Sequence, residues 1–308
     1  KQMTNTSHSV LGDLDLNGPQ VEQLLQLAID MKTQPHKYAD ALKGKSVATL
    51  YEKPSLRTRV SFDVGIHKMG GHAVYLDQQN GAMGKREDVA DFAANLSCWC
   101  DAIVARVMSH QTLIELKQAA SVPVVNSLCD LYHPCQALAD YMSLKELYGE
   151  LKGLNLAYVG DGNNVTHSLM LTGAQLGVNL HVVTPEGHTV DDKIATQAAQ
   201  LAHQNGASLL ITTDINAVKH VDAVYADTWI SMGDGKKLED IWPTFAPYQI
   251  TAELMTKLGA KHFMHCQPAH RDEEVSAEVL DSEQSIILRQ AENRMWAQNA
   301  LLYTLIGQ

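Results

Sequence analysis

The sequence predicts an α/β fold of two doubly wound domains, each with a central parallel sheet flanked by helices. Three observations carry this prediction. Short β-branched runs alternate with helical stretches along most of the chain. Several of these runs, such as Leu156-Ala157-Tyr158-Val159, are apolar on both faces, as a sheet covered on both sides requires. A length of 308 residues suits about two domains. Taken in order, Val21, Leu24, Leu25, Leu27 and Ala28 recur at helical spacing and predict a first helix over 20–31. Strands follow at 46–50, 73–76, 102–106 and 122–126, with helices at 111–120 and 134–148. The long helix ends in two glycines, Gly149 and Gly153, which mark the domain boundary. Beyond it, strands are expected at 155–159, 179–183, 208–212, 223–228 and 261–264, with a helix at 191–204. A last amphipathic stretch, 290–306, is read as a C-terminal helix returning to the first domain. The domains are thus 1–148, completed by 289–308, and 149–288. Parallel neighbours joined through helices imply right-handed crossovers.

Charge narrows the classes of partner. There are 24 Lys and Arg against 35 Asp and Glu, a formal net charge of −11, which speaks against the broad basic stripe that nucleic acid needs and leaves room for a small cationic pocket. Five cysteines, at 98, 100, 129, 135 and 266, are an odd number without a disulfide framework and point to a reducing compartment. No apolar run reaches the ~18 residues of a membrane span. Lys1-Gln2-Met3-Thr4 has neither the charged nor the apolar region of a signal peptide. A cytoplasmic protein without nucleic-acid or membrane partners is expected.

Six segments carry chemistry. Pro54-Ser55-Leu56-Arg57-Thr58-Arg59 follows a strand and opens a helix-like run, so Ser55 is placed to cap it while unpaired backbone N–H groups and the dipole face an anion. Arg57 adds a bidentate fork, and Ser55 and Thr58 add hydroxyls; the same residues also make a plain capped surface helix. Arg106 ends an apolar strand at its carboxyl side, where ligands of α/β sheets sit. His133-Pro134-Cys135-Gln136 starts a helix with Pro134 at its first position, and His133 could donate to a carbonyl oxygen as charge builds there; a capping or buried structural histidine is the alternative. Gly160-Asp161-Gly162-Asn163-Asn164 resembles the opening of a dinucleotide fingerprint, but Val165 replaces the third glycine, which disfavours a nicotinamide cofactor. The two asparagines can instead bind a small zwitterion or simply form a turn. Asp227, at the end of another strand, could hold an ammonium group, followed by the flexible run Ser231-Met232-Gly233-Asp234-Gly235. In His265-Cys266-Gln267-Pro268-Ala269-His270-Arg271 two histidines and a cysteine invite zinc, but their spacing within one loop does not assure three-ligand geometry, and no metal is assigned. The following Asp272-Glu273-Glu274 reads as the acidic first turn of a helix.

Together, Ser55-Leu56-Arg57-Thr58-Arg59, His133-Pro134-Cys135-Gln136, Asp227 with Ser231-Met232-Gly233, and His265-Cys266-Gln267-Pro268 resemble, in the right order, the four signatures of the aspartate/ornithine carbamoyltransferase family. Glu292-Asn293-Arg294 matches a late family motif. The Ser-Met-Gly and His-Cys-x-Pro loops are marks of the ornithine branch. The resemblance implies transfer of the carbamoyl group of carbamoyl phosphate to the δ-amine of L-ornithine without a cofactor. It implies that Ser55, Arg57, Thr58 and the backbone of Leu56 bind the phosphate, that Arg106, His133 and Gln136 reach the carbamoyl group, and that Arg294 completes the clamp. Asn164, Asp227, Ser231 and the Met232 backbone would hold L-ornithine, with Cys266 and the backbone of Gln267 beside the reacting atoms; the catalytic set is Arg57, Arg106, His133, Asp227, Cys266 and Arg294. The family works as trimers with sites at subunit interfaces, which makes a homotrimer or a multiple of trimers the expected assembly. An altered amine acceptor, putrescine or an N-acylated ornithine, is the nearest competing reading; a non-catalytic Rossmann-type nucleotide-binding protein and a metal-dependent hydrolase are further ones.

Three departures from the family pattern are visible. Leu56 stands where a Thr is usual and removes a hydroxyl; Gln267 stands where Leu is usual, at a position expected to act through its carbonyl. In 81–87, Ala82 replaces a Gln found in some relatives, so Lys85 or Arg86 is the candidate cation for a neighbouring subunit's site.

Overall fold

A computed structural model describes residues 8–77, 83–231 and 233–308. It divides into two compact units, one of residues 1–142 with 292–308, the other of residues 143–291. Each is a parallel sheet wrapped by helices, and the last helix returns to the first unit, as predicted.

In the first unit α1 (Gly18–Thr33) precedes β1 (Ser46–Tyr51), α2 (Leu56–Lys68), β2 (His72–Leu76), α3 (Val89–Trp99), β3 (Ala102–Arg106), α4 (His110–Ala119), β4 (Val124–Leu128) and α5 (Pro134–Tyr148). The strand order is β2-β1-β3-β4, all parallel. The chain winds outward from β1 to β2 and then crosses to β3 on the other side, so the topological switch lies between β1 and β3, whose carboxyl ends form the crevice where ligands of such sheets bind. Register sets Tyr51 opposite Arg106, and the Glu52 N–H donates to the Arg106 carbonyl at 2.9 Å. The loop that opens α2 and the Arg106 side chain therefore start from neighbouring points. One sheet face packs Ala48, Leu50, Ile103 and Ala105 on Leu96, Leu113 and Leu116 from α3 and α4; each fully buried leucine or isoleucine contributes about 1.5–3 kcal/mol.

In the second unit come β5 (Asn155–Val159), α6 (Asn164–Leu176), β6 (Asn179–Val183), α7 (Asp192–Gln204), β7 (Leu209–Thr212), β8 (Ala223–Ala226), α8 (Leu238–Phe245), α9 (Ala252–Leu258), β9 (His262–His265), α10 (Ala277–Leu280) and the start of α11 (Ile287–Ile306). The order is β7-β6-β5-β8-β9, again all parallel, with the switch between β5 and β8. Val159 lies opposite Ala226 and Ala226 opposite His265, so Gly160, Asp227 and Cys266 leave the sheet side by side. Ala157, Val159, Val224, Ala226 and Phe263 pack with Met255 and Leu258 of α9 in one core.

All nine strands stand within two residues of their expected limits at either end. Sequence reading placed no helix at α3, α6, α8 or α9, although Val89, Phe92, Ala93 and Leu96 in α3 and Leu238, Ile241, Trp242 and Phe245 in α8 recur at helical spacing; in α6, residues 165–174 are all buried, so no solvent-facing side marks the 3.6-residue period. The acidic run 272–274 is not a first helical turn. The Asp272 N–H donates to the Val275 carbonyl at 2.7 Å, Asp272 has φ of 66°, and α10 begins later behind its own cap, Ser276. Glu274 is pulled into the interior, away from the solvent-facing place of a helix-start carboxylate.

The second glycine of the fingerprint-like loop serves the chain itself. The Gly162 N–H donates to the His188 carbonyl at 2.8 Å, and a Cβ at position 162 would lie 2.7 Å from the Thr189 carbonyl carbon and the Val190 nitrogen. Gly162→Ala must push backbone against backbone, at a cost of about 1–3 kcal/mol. Urea unfolding should show a lowered midpoint at unchanged slope, whereas an unchanged midpoint would mean that the 188–190 segment yields freely.

Candidate active site

The first unit assembles a hydrogen-bonded polar cluster around one buried cation. Ser55 is extended and caps α2, its Oγ accepting from the Thr58 N–H at 3.3 Å, which leaves the first-turn N–H groups of a 13-residue helix facing outward. Arg294 of α11 is buried, 3 % exposed, and its guanidinium is held on three sides. Nε donates to Gln298 Oε1 at 3.1 Å, Nη1 to Gln136 Oε1 at 2.9 Å and Nη2 to Thr58 Oγ1 at 3.1 Å. Gln136 in turn donates to Asp140 Oδ1 at 2.9 Å, and Gln298 to Ser61 Oγ at 2.9 Å. These bonds fix both amide orientations and lock the cation before any ligand arrives, the condition for electrostatic catalysis.

His133 precedes Pro134 at the start of α5 and is buried. Burial, then the neighbouring guanidinium groups of Arg294 and Arg106, push its pKa well below the ordinary 6.5. The imidazole is therefore neutral at pH 7. Because the folded pKa is lowered, the unfolded chain binds a proton below about pH 6.5 that the folded chain refuses, and stability falls as pH drops through that value. His110, His181 and His262 are lowered too. His133→Asn should reduce, without abolishing, the loss of unfolding free energy between about pH 7 and about pH 5; an unchanged acid slope would refute a neutral buried imidazole.

Thr58, Gln136 and Arg294 are thus brought into direct contact, with His133 and Arg106 within electrostatic reach. Arg57 stands half-exposed in the first turn of α2, and Leu56 beside it is 73 % exposed. Lys85 and Arg86 are exposed in the turn before α3. Among the described residues no hydrogen bond or ion pair ties Arg57, Lys85 or Arg86 to the Arg294 cluster.

In the second unit Asp227 is buried at the end of β8. Its Oδ1 accepts from the Thr228 N–H at 2.8 Å and from the Cys266 thiol at 3.0 Å; its Oδ2 accepts from Asn163 Nδ2 at 2.7 Å. Asn163 caps α6 through Oδ1, which accepts from the N–H groups of Val165 and Thr166, so one side chain both starts the helix and aims the carboxylate. Asn164 is the first residue of α6.

Behind Cys266 lies a buried relay. The Gln267 N–H donates to His265 Nδ1 at 2.7 Å, so the ring proton sits on Nε2 and is donated to Glu274 Oε1 at 2.8 Å. Gln267 has φ of 64°, and its bond to Pro268 is cis. Asp227, His265 and Cys266 each bring a ligand atom within 4.8 Å of the others, yet both nitrogens of His265 are committed to these hydrogen bonds, which does not fit a metal ligand. Ser231 is exposed, its N–H donating to Asp234 Oδ2 at 2.8 Å, and among the described residues no hydrogen bond joins it to Asp227. Met232 and Ala82 lie outside the described residues.

Residues 8–146 match the family model for the carbamoyl-phosphate-binding domain of aspartate/ornithine carbamoyltransferases, and residues 152–305 match the model for its Asp/Orn-binding domain. The chain belongs to the aspartate/ornithine carbamoyltransferase family. Within it, the chain is 56 % identical over 298 residues to an ornithine carbamoyltransferase of Vibrio sp. (strain 2693), covering 97 % of this chain and 99 % of that protein. It shows the same identity and coverage with the one from Moritella profunda. The structure of ornithine carbamoyltransferase from Pyrococcus furiosus aligns with a TM-score of 0.94 at 42 % identity, covering 98 % of this chain and 97 % of that one.

Against the family pattern, Leu56 turns its side chain to solvent, and Gln267 spends its N–H on His265. Of the asparagine pair sequence reading carried only Asn164 forward as a site residue, and it missed the parts of Glu274 and Gln298. Gln298 follows Arg294 by four residues on one helix, a spacing that marks a side-chain neighbour. Nothing local separates Asn163 from Asn164, since the choice depends on which one caps the helix.

Proposed function

We infer that this chain transfers the carbamoyl group of carbamoyl phosphate to the δ-amine of L-ornithine, giving L-citrulline and phosphate. The observation that carries the reading is the buried Asp227 carboxylate, oriented by Asn163 and touching the Cys266 thiol at the switch point of the second sheet. In this reading Ser55, Arg57, Thr58 and the Leu56 N–H hold the phosphate of the electrophile. Arg106, neutral His133 and Gln136 face its carbamoyl oxygen, and Arg294 steadies the anion. Asn164, Asp227, Ser231 and the Met232 backbone hold ornithine, while Cys266 and the Gln267 carbonyl lie beside its δ-amine. The amine nitrogen bonds to the carbonyl carbon, the bond from carbon to the phosphate oxygen breaks, and the amine gives up one proton. The mixed anhydride is already activated, so no cofactor is invoked. A free δ-amine resembles Lys, with a reference pKa of about 10.4, so the neutral nucleophile has to be selected at neutral pH.

The decisive experiment measures carbamoyl transfer to ornithine, putrescine and N-acetylornithine. Ornithine should be preferred by a large factor, because Asp227 answers its α-ammonium group; a preference for putrescine or N-acetylornithine would move the chain to another acceptor.

We also propose a homotrimer, or a multiple of trimers, in the cytoplasm. Leu56, Val60 and Val64 are exposed at four-residue spacing along α2, and Trp99 and Met108 are exposed as well. Such apolar surface fits contact between subunits, where Lys85 or Arg86 would reach a neighbour's site. Sedimentation should give three times the chain mass of 33.8 kDa or a multiple of that. The five cysteines, all free, fit a reducing compartment.

A further inference from the structure

The first unit contains a second polar-lined space, built from residues that no step of the carbamoyl transfer uses. A cavity of about 230 Å³ lies where the end of α1, the turn Pro35–Tyr38 and the end of α2 meet the middle of α11. At ~30 Å³ per water it holds roughly seven or eight water volumes, room for about ten non-hydrogen atoms. Its walls divide by chemistry. Met31, Met69 and Pro35 are apolar, and the Trp296 ring is overlaid by Lys68, whose Nζ stands 5.6 Å from the ring centroid.

The polar lining is rich in donors and contains no carboxylate: Lys68, His36 and the amide of Asn299, which is 2 % exposed. The hydroxyl of Tyr38, also in the lining, is already bonded to Asp30. Asn299 Oδ1 packs against Gly65, where a Cβ would come within 2.2 Å. Among the described residues the buried Trp296 Nε1–H has no acceptor. The one formal charge on the lining, that of Lys68, is positive.

We propose that this cavity binds a small monocarboxylate with an apolar or aromatic body. The carboxylate meets Lys68 and the Asn299 amide, and the body lies among Trp296, Met31 and Met69. Space and chemistry agree: ten heavy atoms fit, an anion complements the lining, and a second charge on the body would find no partner among the apolar walls.

Phenylacetate, of about that size, is the probe, titrated calorimetrically into the full chain in the presence of saturating inorganic phosphate. One site per chain with a dissociation constant on the order of 1 mM is expected for so few atoms. The neutral 2-phenylethanol should bind about tenfold more weakly, as should phenylacetate to the Lys68→Met variant. Lys68 is exposed, so that variant should keep its fold and its carbamoyl transfer. The indole N–H resonance of Trp296, identified by its loss in Trp296→Phe, should shift on titration. No binding at tens of millimolar, about equal affinity for 2-phenylethanol or for Lys68→Met, or displacement by phosphate would overturn the proposal. Displacement would mean that the probe occupies the Arg294 clamp.

Discussion

Arg294→Met should lower kcat/KM for carbamoyl phosphate by about 10²–10⁴-fold, the largest single effect expected in the first unit. The side chain reaches Thr58, Gln136 and Gln298 at once. Removing it deletes a preorganised cation and also releases the amide of Gln136 and the hydroxyl of Thr58, two further groups that the proposed reading assigns to the substrate. Arg294→Lys keeps the charge but loses the planar fork that matches three acceptors, so it should recover only part of the loss. Calorimetric titration of inorganic phosphate separates binding from chemistry: affinity should fall with the cation. An Arg294→Met enzyme that binds phosphate and turns over like the parent would remove Arg294 from the site.

Asp227→Asn should be comparably damaging, but to the other substrate. Three donors converge on the carboxylate: the Thr228 N–H, the Cys266 thiol and the Asn163 amide. An amide offers one oxygen where two are needed, so its NH₂ group must face a donor. Losing one charge-assisted bond costs about 1.5–3 kcal/mol, and stranding a buried donor about 1–3 kcal/mol more. At 1.36 kcal/mol per tenfold, kcat/KM for ornithine should fall roughly 10²–10⁴-fold. Phosphate affinity, carried by the first unit, should stay the same. Loss of both affinities together would show that Asp227 supports the fold at large and has no particular bearing on ornithine. Asn163→Ala should reproduce part of the Asp227→Asn effect, since it removes the Oδ2 bond and the cap of α6.

Where the strands lie was readable because parallel strands buried on both faces are continuous apolar runs, and such a run needs no knowledge of its neighbours to be recognised. Ser55 as a helix cap was readable for the same local reason: its Oγ bonds a backbone N–H three residues away. Helix α6 was hidden because burial on all sides erases the amphipathic period. The acidic run at 272–274 misled because first-turn charge preference is weak, and the demand for a carboxylate against His265 outweighed it.

Sequence alone determined two parallel-sheet units and the residues that carry charge at the ends of their strands, because period, apolarity and capping act within a few residues of chain. Only the tertiary structure decided which of those residues meet. Arg294 finds Thr58 across 236 positions and Asn163 finds Asp227 across 64. Contacts of that span follow from how the helices and strand ends of each unit pack together, which no local pattern encodes. The protonation of His133 was settled in the same way, since it depends on how deeply the ring is buried and on two guanidinium groups that the fold delivers to it.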